Sequence, residues 1–213
     1  MKISFPYGSV FSSEASEIAF NICGAIPEIV SVPIKIFFLF IFAGTIHWWL
    51  YIKKSQTFDY KYYAKWPTEN NSKFLFKNQV KDNMFWSLVS GCTIWTIYES
   101  VALWMQASGR LEVISWNERP LYLLLCMILM PFIGAIHFYI IHRILHFPFL
   151  YKIAHKLHHK NVNTGPWSGI SMHPIEHFLY FSIIGIWFFI PCDPFVVVLT
   201  GIWFGVGPAQ THA

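Results

Sequence analysis

The sequence predicts an all-α protein: an integral membrane helical bundle with a histidine cap on its cytosolic face. Three observations predict it. The 213 residues are 55% hydrophobic, 19% aromatic and only 12% charged. The apolar residues come in runs of about twenty, the length a helix needs to cross ~30 Å of hydrocarbon. Seven of the ten histidines crowd between His142 and His177.

Residues 1–32 mix polar and apolar side chains and read as an interfacial segment, without the compact apolar core and cleavage site of a signal peptide. Residues 33–141 hold three predicted spans: Pro33–Ile52, Met84–Met105 and Pro120–Ile141. Backbone polar groups find no water in the bilayer, so these runs are read as helices. Trp48, Trp49, Tyr51, Trp86 and Trp104 lie near their ends, as an aromatic belt requires. The four cysteines are widely separated and form no CxxC, which argues against a disulfide framework.

Between the first two spans, residues 53–83 form a loop with seven lysines (Lys53, Lys54, Lys61, Lys65, Lys73, Lys77 and Lys81). The loop between the second and third spans has only Arg110 and Arg119, matched by Glu112 and Glu118. The excess of positive charge places the lysine loop in the cytosol. Three crossings then return the chain to the cytosol at His142. The Asn70-Asn71-Ser72 acceptor is thereby kept away from the glycosylating compartment. The net charge of +4, clustered beside apolar runs, suits an anionic membrane surface and not nucleic acid.

Residues 142–213 carry the histidines. His142 and His146 (HRILH) continue the third span by one turn and stack on one face. Leu150–Lys160, projected as a helix, has an apolar stripe (Leu150, Ile153, Ala154, Leu157) and a basic stripe (Lys152, Lys156, Lys160). His155, His158 and His159 (HKLHH) fill the remaining arc, so one face meets the membrane, one meets water and one is aimed at a metal. His173 and His177 (HPIEH) add a third pair, with Glu176 between them as an acceptor for an imidazole N–H or as an ordinary helix-start carboxylate. Imidazole is the commonest protein metal ligand, and seven in 36 residues exceed what one mononuclear site uses. Beyond this region Phe178–Ile190 and Phe195–Gly207, thirteen residues each, flank Pro191-Cys192-Asp193-Pro194. The favoured reading is a membrane hairpin over 178–207 that brings His212 beside the other histidines; a single kinked span is the alternative.

HRILH, HKLHH and HPIEH, with Leu150-Tyr151-Lys152 between the first two, resemble the integral-membrane fatty acid hydroxylase and sterol desaturase superfamily. The resemblance covers roughly His137 to the carboxyl end. It implies a dimetal centre, two irons with zinc possible as isolated, that activates O₂ and hydroxylates or desaturates a lipid or sterol C–H bond. It further implies lipid or sterol biosynthesis, an external electron donor such as a b-type cytochrome or an NAD(P)H-linked reductase, and, in a eukaryote, the endoplasmic reticulum. The ligands expected are His142, His146, His155, His158, His159, His173, His177 and His212, with Glu176 and His137 behind them; no side chain is assigned a catalytic role apart from the metal centre. Nitrogen ligands also suit zinc and copper, so iron rests on the resemblance. The family continues with a further HxxHH group past the point where this chain stops, so a truncated ligand set is expected.

Three other residues are read as structural. His137 lies about 140° around the helix from His142, His47 sits at a cytosolic span end, and Glu99 lies deep in the second span. Two competing readings remain: a truncated, non-catalytic form, and a histidine-rich metal-binding or transport protein. The second would place its ligands near the bilayer midplane; here they gather at the boundary.

Overall fold

The structure is a computed structural model that describes residues 32–55 and 65–213. The interfacial segment expected over residues 1–32 lies outside the described residues except for Val32, as does Lys61 of the lysine loop. The described residues are helical, with only an isolated bridge between Glu69 and Asn78 in extended pairing.

α1 (Val32–Ile52) is a single apolar helix whose last turn, Trp48–Ile52, opens into a π-helix. The predicted second span is built from three pieces: α2 (Gln79–Phe85), a π turn (Trp86–Gly91) and α3 (Cys92–Ala107). The Asn78 side chain caps α2 by accepting the Lys81 N–H at 3.0 Å. α4 (Pro120–Leu145) starts on a proline, keeps Pro131 inside, and at 26 residues is about 39 Å long, enough to lift His142 out of the hydrocarbon. α5 (Pro148–Leu150), a π turn (Tyr151–His155) and α6 (Lys156–His159) make the short histidine helix.

α7 (Pro174–Phe181) runs on as a 3₁₀ helix (Ser182–Phe188); the chain then turns at residues 189–193 and returns as α8 (Pro194–Thr211). The two limbs are tied by Tyr180 donating to the Phe204 carbonyl at 3.0 Å and by the Trp187 indole donating to Thr200 at 2.8 Å. The thirteen-residue estimates for these limbs need correction. α8 has 18 residues because Pro194 occupies its first turn and Pro208 sits within it without ending it. Its partner gains reach because a 3₁₀ helix rises ~2.0 Å per residue, so Pro174–Phe188 extends roughly 26 Å.

The turn reaches the far end of the bundle. There Tyr122, at the start of α4, donates to the Pro191 carbonyl at 2.8 Å, and Gln106, at the end of α3, donates to the Cys192 carbonyl at 3.1 Å. At the near end the Tyr51 hydroxyl lies 3.0 Å from the Thr164 carbonyl and 3.2 Å from that of Ala213. The ends of α1, α4 and α8 and the start of α2 therefore share the end that carries the histidines.

The core sits where α3 meets α7 and α8. Gly201 and Gly205 let α8 approach Trp95 so closely that a Cβ on either would lie within 2.3 Å of the indole. Trp95 donates to Glu99 at 2.7 Å, and Lys35 of α1 pairs with the same carboxylate at 3.2 Å. Glu99 is thus a buried structural carboxylate whose cationic partner comes from another span. Cys92, Cys126 and Cys192 are buried free thiols.

Candidate metal centre

The histidine end is assembled by local turns that each redirect one imidazole. α4 ends at Leu145, and the Pro148 start of α5 bends the chain so that α5 and α6 fold back against the end of α4. His142 and His146, one turn apart, face one another with Nε2 atoms 3.1 Å apart. His155 and His159, one turn apart on the folded-back helix, do the same at 2.9 Å. The ring of His142 lies 4.7 Å from that of His155, and the ring of His146 lies 5.1 Å from that of His159. One nitrogen from each of the four lies within 4.8 Å of the others. Tyr151 packs beside the group, its ring 5.7 Å from His159 and 5.8 Å from His146.

Burial decides the charge state. His155 is fully buried, and desolvation lowers its pKa. His159 is lowered by burial and by the neighbouring His155 and His146. Neutral imidazoles with converging lone pairs are what a cation requires. His155 Nδ1 lies 2.8 Å from Glu176 Oε1, which turns its Nε2 towards His159. Burial raises the Glu176 carboxyl to about 8.

His158 leaves the helix on another side. It donates its Nδ1–H to the Ser171 carbonyl at 3.3 Å, and its ring lies 6.1 Å from His212. His212 donates its own Nδ1–H to the Pro208 carbonyl at 3.0 Å. Both therefore keep Nε2 unprotonated. Burial first, and then His212, hold His158 down to about 3. His155, His158 and His159 stay neighbours, with rings 4.5–6.0 Å apart, but only His155 and His159 join the four-nitrogen group, while His158 also reaches His212 at the end of α8.

Beside these groups lies a cavity of about 710 Å³ between α4 and α8. Phe138, Ile202, Trp203 and Phe204 make much of its wall, and His142, His158, Glu176 and His212 supply polar atoms at one end. Gly134 allows the close approach of Phe204, whose ring would lie 1.9 Å from a Cβ there.

The remaining expected residues are not brought to the four-histidine cluster. His177 is fully buried and donates Nε2–H to the Ile170 carbonyl at 2.8 Å, so its Nδ1 accepts the Ser90 hydroxyl at 2.9 Å. His173 caps α7, its Nδ1 accepting the Ile175 N–H at 3.2 Å, with its ring 6.4 Å from Trp86. His137 donates to Ser182 at 2.9 Å. His47 stacks on Tyr51 at 5.2 Å. Ser90 and Ser171 had no signal in the sequence, because each becomes relevant only when a distant segment packs against it. The same holds for Asp82. Fully buried, it pairs with Lys160 at 2.7 Å and accepts the Leu75 N–H at 2.9 Å, which clamps the end of the histidine helix to the start of the second span.

The donor set fits a transition metal. A cation at ~2.1 Å from each nitrogen holds neighbouring ligand atoms about 3.0–3.4 Å apart, close to the two Nε2 separations seen. Glu176 Oε2 is buried with no hydrogen-bond partner among the described residues, so a polar atom beside the cluster is left to meet a bound group.

Fold and site together define an all-α membrane protein whose four-histidine cluster, beside a largely apolar cavity, has the donor set to hold a metal ion. Residues 123–213 match the fatty acid hydroxylase family. Among curated relatives, fatty acid hydroxylase ahd1 of Mycosarcoma maydis is 36% identical over 107 residues, 49% of this chain and 23% of that protein. Delta(7)-sterol 5(6)-desaturase ERG3B of Gibberella zeae is 44% identical over 41 residues, 19% and 13% of the two chains. Delta(7)-sterol 5(6)-desaturase erg3C of Aspergillus fumigatus is 36% identical over 58 residues, 27% and 18%. The chain thus spans less than a quarter of the length of these relatives. No solved structure matches. The histidine-bearing part of the chain is similar to fatty acid hydroxylases and to stretches of sterol desaturases.

Proposed function

We propose that the protein is a membrane-bound, O₂-dependent oxidoreductase that hydroxylates or desaturates a C–H bond of a lipid or sterol. The reading is carried by one observation: four imidazoles converge within 4.8 Å of one another beside a cavity walled largely by apolar side chains. His142, His146, His155 and His159 would hold one iron. His158 and His212, each with Nε2 left unprotonated by a backbone carbonyl, would contribute to a second. Bound iron would supply O₂ activation, chemistry that no side chain provides.

The residues of the chain do the rest. Glu176 orients His155 through the 2.8 Å hydrogen bond and keeps its Nε2 facing the cluster. Ser171 and Pro208 set the tautomers of His158 and His212 through their carbonyls. Phe138, Trp203 and Phe204 exclude water and hold an apolar chain against the histidine end. The exposed edge formed by His146 and His159, with Lys152 and Lys156 alongside, suits an external electron donor. The excess of lysines in the loop before α2 supports a cytosolic position for this end, in the endoplasmic reticulum if the source is eukaryotic.

The test is metal content and turnover of detergent-purified protein. About two irons per chain, and O₂-dependent oxidation of a lipid extract that vanishes with His155→Ala, is the expected result. A protein that binds no metal at neutral pH sinks the reading.

A further inference from the structure

The loop before α2 ends in a strained apolar tip. Glu69 bridges to Asn78, and the Asn71 N–H donates to the Lys77 carbonyl at 3.1 Å, closing the loop on itself. At its end Leu75–Lys77 form one 3₁₀ turn in which Phe76 (φ 58°) and Lys77 (φ 54°) are both left-handed. That conformation is uncommon for any residue with a side chain and unfavourable for a bulky one, so consecutive occurrences need support from the surroundings. Asp82 supplies it, accepting the Leu75 N–H at 2.9 Å, while Phe74 is buried beneath the Lys160 ammonium.

The strain turns apolar side chains outward. Leu75 is 42% and Phe76 66% exposed. A loop built only to connect two helices in water would carry glycine or asparagine at such positions. Lys73, Lys77 and Lys81 are exposed around the tip, and the nearby Asp82 is already paired with Lys160. Depth is fixed by Phe85, which lies 6.3 Å from the Phe76 ring and 5.3 Å from that of Trp86. Phe85 and Trp86 stand at the join of α2 and the π turn, where the sequence places the start of the second span, so the tip stands at the level where that stretch would meet the bilayer.

We infer that Leu75 and Phe76 insert into the leaflet on the histidine side, with Lys73, Lys77 and Lys81 on the headgroups of anionic lipids. An apolar tip ringed by cations at the membrane boundary matches an anionic lipid surface, where each lysine adds Coulomb attraction to the burial of the tip. The inference stands on the loop alone and does not depend on the metal chemistry proposed above.

The experiment uses the full chain in liposomes, with a nitroxide on Leu75→Cys and, separately, on Asn70→Cys as a water-facing reference. Collision with oxygen and with a water-soluble nickel chelate reads the depth. The label at 75 is expected to be oxygen-rich and nickel-poor, and the label at 70 the reverse. Adding phosphatidylserine to phosphatidylcholine should deepen the label at 75, and each of Lys73→Gln, Lys77→Gln and Lys81→Gln should weaken that preference about fivefold. Phe76→Ser in the Leu75→Cys chain should return the label to water. A label at 75 that stays nickel-accessible in both lipid mixtures overturns the inference. So does protection that appears only when an acidic protein is added, since the patch would then belong to a protein partner.

Discussion

His142/His146 and His173/His177 are both spaced i,i+4, the first at the end of α4 and the second at the start of α7, yet their imidazoles end in opposite circumstances. The first pair stands where α4 leaves the bundle, faces another such pair on α5–α6, and keeps its Nε2 atoms directed at neighbouring imidazoles. The second pair stands at the start of α7, packed against the π turn of the second span. There Ser90 and the Ile170 carbonyl take both nitrogens of His177, and the α7 backbone takes one of His173. Spacing alone does not make a ligand. What differs is where packing sends the nitrogens: those of His142 and His146 meet a second pair, both of His177 are taken by Ser90 and Ile170, and His173 is turned towards Trp86.

That contrast can be broken by substitution. His155→Ala removes a converging nitrogen and frees Glu176, and metal affinity should fall by more than about a hundredfold, beyond what losing an outer partner costs. Elemental analysis and chelator competition measure it; a variant that keeps its metal would erase the distinction. His177→Ala should behave oppositely, retaining metal in the folded protein while losing about 2–4 kcal/mol of stability, because the Ser90 hydroxyl and the Ile170 carbonyl are stranded in a buried site. Thermal unfolding in detergent reads that loss, and a metal-free but stable His177→Ala protein would move this residue into the ligand set.

Glu176→Gln sharpens the comparison. Gln preserves the shape and one hydrogen bond to His155 but not the ability to become a carboxylate, so about tenfold weaker metal binding is expected with little change in unfolding temperature. An equal loss of stability and affinity would reduce Glu176 to a packing residue. His137→Ala should be the mildest, costing about 1 kcal/mol for one half-buried hydrogen bond to Ser182 and leaving metal content unchanged.

Much of this arrangement was legible beforehand. Hydropathy and length identify α1 and α4, both long and apolar enough to cross a bilayer; the third such helix among the described residues is α8, whereas the predicted second span is divided into shorter pieces. The second span nevertheless hides a π turn over Trp86–Gly91, which brings Ser87 and Ser90 to bear on Trp167 and His177. α8 was under-read because Gly207 and Pro208 resemble a helix stop, although α8 extends past both to Thr211. The reach of its partner was under-read because nothing in Ser182–Phe188 announces a 3₁₀ helix.

Composition and run length were enough to establish a helical membrane protein, and histidine spacing pointed to a cluster of imidazoles, because those properties depend on the bilayer and on helical periodicity alone. Which imidazoles converge was settled by packing. The Pro148 bend sets α5–α6 against α4, which brings His155 and His159 to His142 and His146, and the α7–α8 hairpin delivers His212 to His158. Each of these depends on contacts between residues far apart in the chain, and a metal site is defined to within an ångström, a precision that local sequence pattern does not carry.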